Sequence, residues 1–223
     1  MDIHRRYWLR RVPPGALRDY LACPFPAAKT PCASIPFLAL DLETTGLDAQ
    51  NHEILTFGFV PLLEGRIALR EARHLLVRPH QAIPPETVVL HGLTDDRSAT
   101  GDSLESTLPV LLHAMAGRVL LVHYAPLERA FLRQACQRLY GVVPPMLFVD
   151  VMALEIRRMQ RQNHHPLPGE LRLARLRKHH GLPRYRAHNA LSDAVATAEL
   201  FLAQMARQSK PEHAPPLHRL LTW

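Results

Sequence analysis

An apolar segment that ends in two acidic residues constrains the fold of this chain more than any other feature. Residues 35–42 (IPFLALDL) predict a buried strand, and Thr44-Thr45-Gly46 predicts the turn after it. Because side chains alternate along a strand, Asp41 and Glu43 are expected on one face at the strand end. Such a pair repels itself unless cations neutralise it, and hard ions such as Mg²⁺ or Mn²⁺ prefer oxygen ligands. A bare D-x-E motif also describes two solvated acids, so the pair alone does not establish a metal site.

The remaining hydrophobic patterns predict a strand-rich half followed by a helix-rich half. Strands are predicted at 53–62, 66–78, 118–122 and 146–151, and helices at 102–116 and 126–140. The rest is predicted to be helical, with Gly181 as a C-cap. The last helix is expected to place apolar side chains on one face: Leu191, Ala194, Val195, Ala198, Leu202 and Met205. Strands first, then helices with further strands between them, indicate an α/β three-layer class, a mixed sheet covered by helices.

Three segments are predicted along the chain. The proline-containing residues 1–35 predict an N-terminal extension, residues 36–207 the main domain, and residues 208–223 a short C-terminal tail. With 47% hydrophobic residues in 223, the chain is expected to bury a sizeable core. No segment reaches the ~20 apolar residues that a membrane span needs, so no membrane partner is expected.

Charge and cysteine content indicate the kind of partner and the compartment. The formal charge of +7 favours polyanionic partners such as nucleic acid, although many basic proteins bind neither nucleic acid nor membranes. The three cysteines (Cys23, Cys32 and Cys136) are widely spaced and form no C-x-x-C pair. This spacing argues against a disulfide framework and favours a reducing, cytoplasmic location. The histidine doublets 164–165 and 179–180 have no cysteine partners at zinc-finger spacing and are expected to be solvated.

Two further clusters carry candidate chemistry. His188 and Asp193 lie at the start of the last predicted helix, and Glu128 lies in the first turn of the helix after residues 118–122. Each acid alone fits a first-turn residue that interacts favourably with the helix dipole. A histidine beside a metal-bound water is suited to accept its proton, since its pKa lies near neutrality. The combination of acids at one strand end and two helix starts with a nearby histidine is more specific than any member.

These motifs together resemble the DnaQ-like exonucleases, the DEDD superfamily. Residues 41–46 (DLETTG) resemble the first motif, residues 188–193 resemble the third motif of the histidine-bearing (DEDDh) branch, and residues 89–94 (VLHGLT) resemble a segment between the first and second motifs. The resemblance covers roughly residues 36–205. It implies an RNase H-like fold, metal ligation by Asp41, Glu43, Glu128 and Asp193, and His188 as general base. It further implies two divalent ions, Mg²⁺ or Mn²⁺, and release of nucleoside 5′-monophosphates from DNA or RNA 3′ ends.

The second motif departs from the family pattern. Residues 123–128 (HYAPLE) stand where the family has a sequence like H-N-x-x-F-D, so Glu128 replaces an aspartate. Glutamate offers the same charge and donor atoms one methylene further out, and a metal site with altered geometry is expected. The departure also supports an alternative: a catalytically weakened nucleic-acid-binding or polymerase-accessory subunit of the proofreading type.

The resemblance also indicates how substrate is held. Residues after the first motif are expected to contact the terminal nucleotide, which points to Leu42, Thr44 and Leu47, with His91 lining the same pocket. Nine basic residues between Arg157 and Arg186 predict either a rim that receives the phosphate backbone or a solvated helix face. The expected substrate is a single-stranded or frayed 3′ end. A polymerase partner, a homodimer, the choice between DNA and RNA and the biological role stay open.

Overall fold

The strands form one mixed sheet in the computed structural model, which describes residues 2–81, 100–185, 189–208 and 214–222. Strand β1 (Phe37–Thr44) lies at its centre, antiparallel to β2 (Ile54–Leu63) and parallel to β5 (Val119–Val122). On the far side of β5, β6 (Phe148–Asp150) pairs in parallel. Two short strands, β3 (Arg66–Ile67) and β4 (Arg73–Leu76), pair with β2 at its other edge. The predicted mixed sheet is confirmed.

Helices cover both faces of this sheet and bury two separate cores. Alternate residues of β1 belong to different cores: Leu38 and Leu40 face one, and Phe37 and Ala39 face the other. The first core is covered by α1 (Asp2–Leu9), α2 (Ala16–Ala22), α3 (Leu104–Met115) and α4 (Ala125–Tyr140). The second is covered by α5 (Val151–Arg161), α6 (Leu173–His179), α7 (Ala190–Gln208) and α8 (Leu217–Leu220). This confirms the three-layer α/β prediction.

The structure corrects three details of the predicted elements. The strand predicted at 66–78 is interrupted by a 3₁₀ turn at Leu69–Glu71, a sequence of good helix formers. The strand predicted at 146–151 ends at Asp150, because that carboxylate caps α5, which begins at the next residue. The region predicted to be wholly helical after residue 151 is divided, and residues 162–172 lie in turns and loop between α5 and α6.

Both terminal segments pack onto the domain. In the N-terminal segment, Leu17 and Leu21 of α2 join the first core, and the Tyr20 hydroxyl donates to the carbonyl of Pro145 at 2.7 Å. In the C-terminal segment, Leu217, Leu220 and Leu221 join the second core, and Leu221 forms an isolated antiparallel bridge with Val149 of β6. The boundaries proposed for the extension, main domain and tail stay a prediction. None of the helices in the described ranges combines the length and apolar character that a bilayer crossing requires.

Candidate active site

Three carboxylates converge at the end of β1. Asp41 and Glu43 project from the same face of the strand, and Asp193 joins them from the first turn of α7. One oxygen from each side chain lies within 4.8 Å of the others. Glu43 is buried, whereas Asp41 and Asp193 are partly exposed. A compact group of oxygen donors with one open side fits a hard divalent cation.

A glycine on the neighbouring strand allows α7 to come this close. Gly58 of β2 is the register partner of Asp41. A β-carbon on Gly58 would lie 2.0 Å from the carbonyl carbon of Ala190 and 2.1 Å from the backbone nitrogen of Leu191. Only a residue without a side chain accommodates the first turn of α7 directly on the sheet, three residues before Asp193. Sequence reasoning did not single out Gly58, although an isolated glycine inside a strand is the signal of such a close approach.

Glu128 lies in the first turn of α4, buried beside the three carboxylates but not part of their compact group. Its side chain is only 2% exposed, and Oε2 has no hydrogen-bond partner within the described ranges. Burial raises the pKa of Glu128 to about 8, and the charge of Asp150 adds to the rise. A buried carboxylate oxygen without a hydrogen-bond partner at this place is suited to bind a cation.

The charges of the cluster also act on Asp41. Burial raises the pKa of Asp41 well above its usual range, and the negative charges of Glu128, Glu43 and Asp193 raise it further. The cluster therefore holds more negative charge than the folded chain stabilises by itself. A divalent cation would remove this penalty, since it favours the ionised form of every acid around it.

Asp150 fixes the start of the helix that carries Glu128. Asp150 was not identified from the sequence. It is a buried residue at the end of β6, and its carboxylate accepts hydrogen bonds from the backbone nitrogens of Tyr124 (3.0 Å), Ala125 (2.9 Å) and Met152 (2.9 Å). It thereby serves the first turns of both α4 and α5. Tyr124 adopts a left-handed backbone conformation (φ 81°) at the start of α4, and these bonds hold it there. An aspartate between an apolar strand and a helix was the available signal.

A cleft of about 630 Å³ opens from the carboxylates. Asp41, His123 and Asp193 line it together with residues of α6 and the segment after α6. The Nε2 atom of His123 lies 2.8 Å from the carbonyl oxygen of Leu171, so Nε2 carries the proton and donates it. Burial lowers the pKa of His123, which keeps its imidazole neutral near pH 7.

Four residues of the predicted basic rim illustrate two different roles. Arg172 and Arg184 are exposed and line the cleft. The other group has structural roles: Arg177 donates to the carbonyls of Ala196 (2.7 Å) and Pro183 (2.9 Å). In the same way Arg157 donates to the carbonyls of Arg219 and Leu221 and secures the C-terminal segment.

A histidine predicted to be solvated is buried in this part of the molecule. The Nε2 atom of His180 lies 3.2 Å from Glu155, whose carboxylate also accepts from Arg158 and Gln204. The interpretation of His179–His180 as a solvated doublet is therefore wrong for His180. Gly181 follows with φ +72°, one position after the C-cap of α6.

The remaining predicted site residues are distributed as follows. The Leu42 side chain packs in the first core, on the opposite face to Asp41, so only its backbone is available to a ligand. Thr44 is buried, and its hydroxyl donates to the carbonyl of Gly46 at 2.7 Å. Leu47 is 83% exposed beyond the end of β1. His188 and His91 lie outside the described residues, and their roles stay predictions.

Sequence comparisons agree with this geometry. The exonuclease (RNase_T) family profile matches residues 38–201. The PolC-type DNA polymerase III of Thermotoga petrophila is 30% identical over 166 residues, which is 74% of this chain and 12% of that polymerase. The chain thus spans about an eighth of the length of that relative. The DNA polymerase III subunit epsilon of Treponema pallidum is 28% identical over 176 residues and is covered to 79%, as is this chain.

Comparison with solved structures gives the same fold. The nuclease domain of 3′hExo, a DEDDh family member bound to rAMP, superposes with a TM-score of 0.67 at 17% identity. The match covers 80% of this chain and 96% of that one. The matched profile covers most of the chain, and the sheet order and the carboxylates agree with it: the chain belongs to the exonuclease family and is a DnaQ-like exonuclease domain.

Proposed function

We propose that this protein removes nucleoside 5′-monophosphates from the 3′ ends of DNA or RNA by metal-dependent hydrolysis. The observation that carries the proposal is the convergence of ligand oxygens of Asp41, Glu43 and Asp193 within 4.8 Å, with Asp41 and Asp193 lining the cleft. Asp41, Glu43, Glu128 and Asp193 would hold two divalent ions, Mg²⁺ or Mn²⁺. Bound ions of this kind lower the pKa of water and stabilise charge on the scissile phosphate and the leaving 3′ oxygen.

The protein's own side chains would position the metal ions and accept the proton of the attacking water. Glu43 and Asp41 fix the oxygen donors on a rigid strand, and α7 fixes Asp193 against them across Gly58. We assign the proton acceptor to His188, because residues 188–193 resemble the third motif of the DEDDh branch, whose histidine has that role. His123 lines the cleft, but its Nε2 proton is donated to the carbonyl of Leu171, which favours an orienting role. Replacement of His188 by alanine is expected to lower kcat by about 10²- to 10⁴-fold, and the same change at His123 by less.

We propose that the cleft receives a single-stranded or frayed 3′ end. Arg172 and Arg184 line the same cleft as Asp41 and Asp193, where they would contact backbone phosphates. A solved relative of this fold is described as bound to rAMP, which is consistent with a nucleoside monophosphate product. The similarity to polymerase III proteins makes a polymerase a candidate partner. The three free cysteines are consistent with the proposed cytoplasmic location.

The proposal is tested with 5′-labelled single-stranded DNA and RNA oligonucleotides incubated with Mn²⁺, with Mg²⁺ or with chelator. A ladder that shortens from the 3′ end only with metal is expected, and the faster substrate identifies the preferred nucleic acid. Asp41→Ala should abolish cleavage while the fold is retained, and Glu71→Gln, an exposed acid on the 3₁₀ turn, serves as the matched control.

Two outcomes would contradict this proposal in different ways. Cutting of circular single strands would indicate an endonuclease. Binding without cleavage under every metal condition would favour the accessory-subunit alternative, and Glu128→Asp would then be the reversion to test.

A further inference from the structure

A tyrosine in the wall of the cleft is held rigidly by two neighbours. Tyr185 lines the same cleft as Asp41 and Asp193 and is 42% exposed. Its hydroxyl donates to Glu199 Oε1 at 2.8 Å, and the guanidinium carbon of Arg177 lies 4.5 Å from the centre of its ring. Tyr185 is therefore an exposed aromatic side chain whose ring has little freedom to rotate away.

Arg177 and Glu199 are themselves held by further hydrogen bonds, so the two residues that contact Tyr185 have little freedom to move. Arg177 is 3% exposed and donates to Glu199 Oε2 at 2.7 Å, besides its bonds to two backbone carbonyls. This ion pair ties α6, the segment after it and α7 together beside the carboxylates. Arg177 lies over one face of the ring, and Tyr185 as a whole stays 42% exposed.

An ordered aromatic ring beside the proposed phosphodiesterase site is suited to stack against a nucleobase. Nucleobases stack on aromatic side chains with about 1–3 kcal/mol per base, whatever their sequence. A cation on the far side of the ring withdraws electron density and adds to the attraction for an electron-rich base. The cost of ordering the ring has been met before the substrate arrives, because the hydroxyl and the ring face are already engaged.

We propose that Tyr185 stacks against a base of the scissile dinucleotide, either the nucleotide being removed or the one before it. Tyr185 is thus a substrate-binding residue, with Arg177 and Glu199 as its positioning residues. The inference rests on the proposed nuclease function for the identity of the ligand. It deepens that function by assigning a base-stacking residue to a site otherwise built to recognise phosphate.

The test pairs a change in the protein with a change in the substrate. Single strands that carry an abasic residue at the last or the penultimate position are compared with an intact strand. Binding is measured by fluorescence anisotropy in Ca²⁺, and turnover is measured in Mn²⁺. In the wild-type protein, one of the two abasic strands should bind about 5- to 150-fold more weakly than the intact strand. Tyr185→Leu should remove most of this difference by weakening the intact strand alone, and Tyr185→Phe should retain it.

Tyr7 gives a matched control. It is also exposed, and the guanidinium carbon of Arg11 lies 3.6 Å from the centre of its ring, but it belongs to α1 and does not line the cleft. Tyr7→Leu should leave the discrimination unchanged. An equal loss of affinity for intact and abasic strands in Tyr185→Leu would overturn the proposal and reduce Tyr185 to a structural role. If discrimination is present in Ca²⁺ but no strand is cleaved in Mn²⁺, base stacking on Tyr185 stands and the proposed hydrolysis fails.

Discussion

The backbone of Ala190 lies against Gly58 so closely that a β-carbon on the glycine would fall 2.0 Å from the carbonyl carbon of Ala190. Since Gly58 is the register partner of Asp41, this close approach sets the distance between the first turn of α7 and the end of β1. The separation of Asp41 from Asp193 is consequently determined by a residue that bears no functional group.

Gly58→Ala is expected to destabilise the protein and to remove most of its activity. Overpacking inside a core costs typically about 1–3 kcal/mol, and backbone atoms yield less than side-chain ends. The helix must shift outward, which separates Asp193 from its partners. Thermal unfolding and Mn²⁺-dependent turnover measure the two effects.

Gly141→Ala provides the control for this prediction. Gly141 has φ +66° and no atom near its missing β-carbon, so the substitution brings backbone strain of about 1 kcal/mol without a clash. It should lower the melting temperature and leave turnover intact. Full activity in Gly58→Ala would show that the position of α7 does not depend on the absence of a side chain at this residue.

The raised pKa of Glu128 predicts how the metal-free protein responds to pH. The carboxyl titrates near 4.5 in an unfolded chain and near 8 in the folded protein. Between these values the folded state retains a proton that the unfolded chain has released, so stability falls as pH rises from about 4.5 to 8. Glu128→Gln removes this contribution to the pH dependence. In chelator at pH 8 the free energy of unfolding of the variant should exceed that of the wild type by a few kcal/mol, on the order expected for such a shift.

Chemical denaturation at pH 5 and pH 8 measures this difference, with Glu71→Gln as the exposed control. Saturating Mn²⁺ should reverse the order of the two proteins, since the wild type then gains more binding free energy. A variant no more stable than the wild type at pH 8 in chelator would show that burial does not penalise the ionised form of Glu128.

Part of this architecture was predictable because it depends on local sequence. Apolar spacing and residues close in sequence predict the strand that carries Asp41 and Glu43 and the helix start that carries Glu128. They also predict that alternate side chains of the strand point to opposite faces of the sheet. Contacts between distant segments were not predictable in this way. The fit of Gly58 against Ala190 and the stacking of Arg177 on Tyr185 depend on which elements meet, and side-chain periodicity carries no information about that.

The two terminal segments illustrate the same limit. Their prolines and short apolar groups predict an extension and a tail, yet Leu21 and Leu220 are both buried in the cores. The burial of His180 against Glu155 likewise needs three helices to meet.

Asp150 is expected to be more important for stability than its single charge suggests. Its carboxylate accepts from four backbone nitrogens, at 3.0 Å from Tyr124, 2.9 Å from Ala125, 2.9 Å from Met152 and 3.4 Å from Ala153. Asp150→Ala leaves these donors unsatisfied in a buried place, and a loss of about 2–4 kcal/mol is expected from the removal of two caps. Urea denaturation measures it, and Asp150→Asn should recover part of the stability through its one remaining acceptor oxygen. A change below about 0.5 kcal/mol would contradict the capping role.

A second concave surface extends the cleft along α6. Arg172 lines both the cleft beside the carboxylates and this neighbouring one of about 670 Å³, which is also lined by Arg175, Lys178 and His179. Arg175 and Lys178 are exposed, whereas Leu176 and Arg177 between them are buried, so one face of the short helix presents its charges to solvent. We predict that this face binds the phosphates of a longer strand upstream of the 3′ end.

The double variant Arg175→Gln with Lys178→Gln tests this surface. Removing one phosphate-binding side chain should reduce the slope of log affinity against log salt by about 0.7 for a single strand, and removing both should reduce it by about 1.4. In the double variant, the affinity for a strand of about 20 nucleotides should fall further than the affinity for a trinucleotide, because only the longer strand reaches past Arg172. Arg66→Gln with Arg70→Gln removes the same charge from β3 and the 3₁₀ turn after it. This pair controls for the effect of net charge on binding. Equal slopes for the two double variants would assign the effect to net charge and leave α6 a solvated helix face.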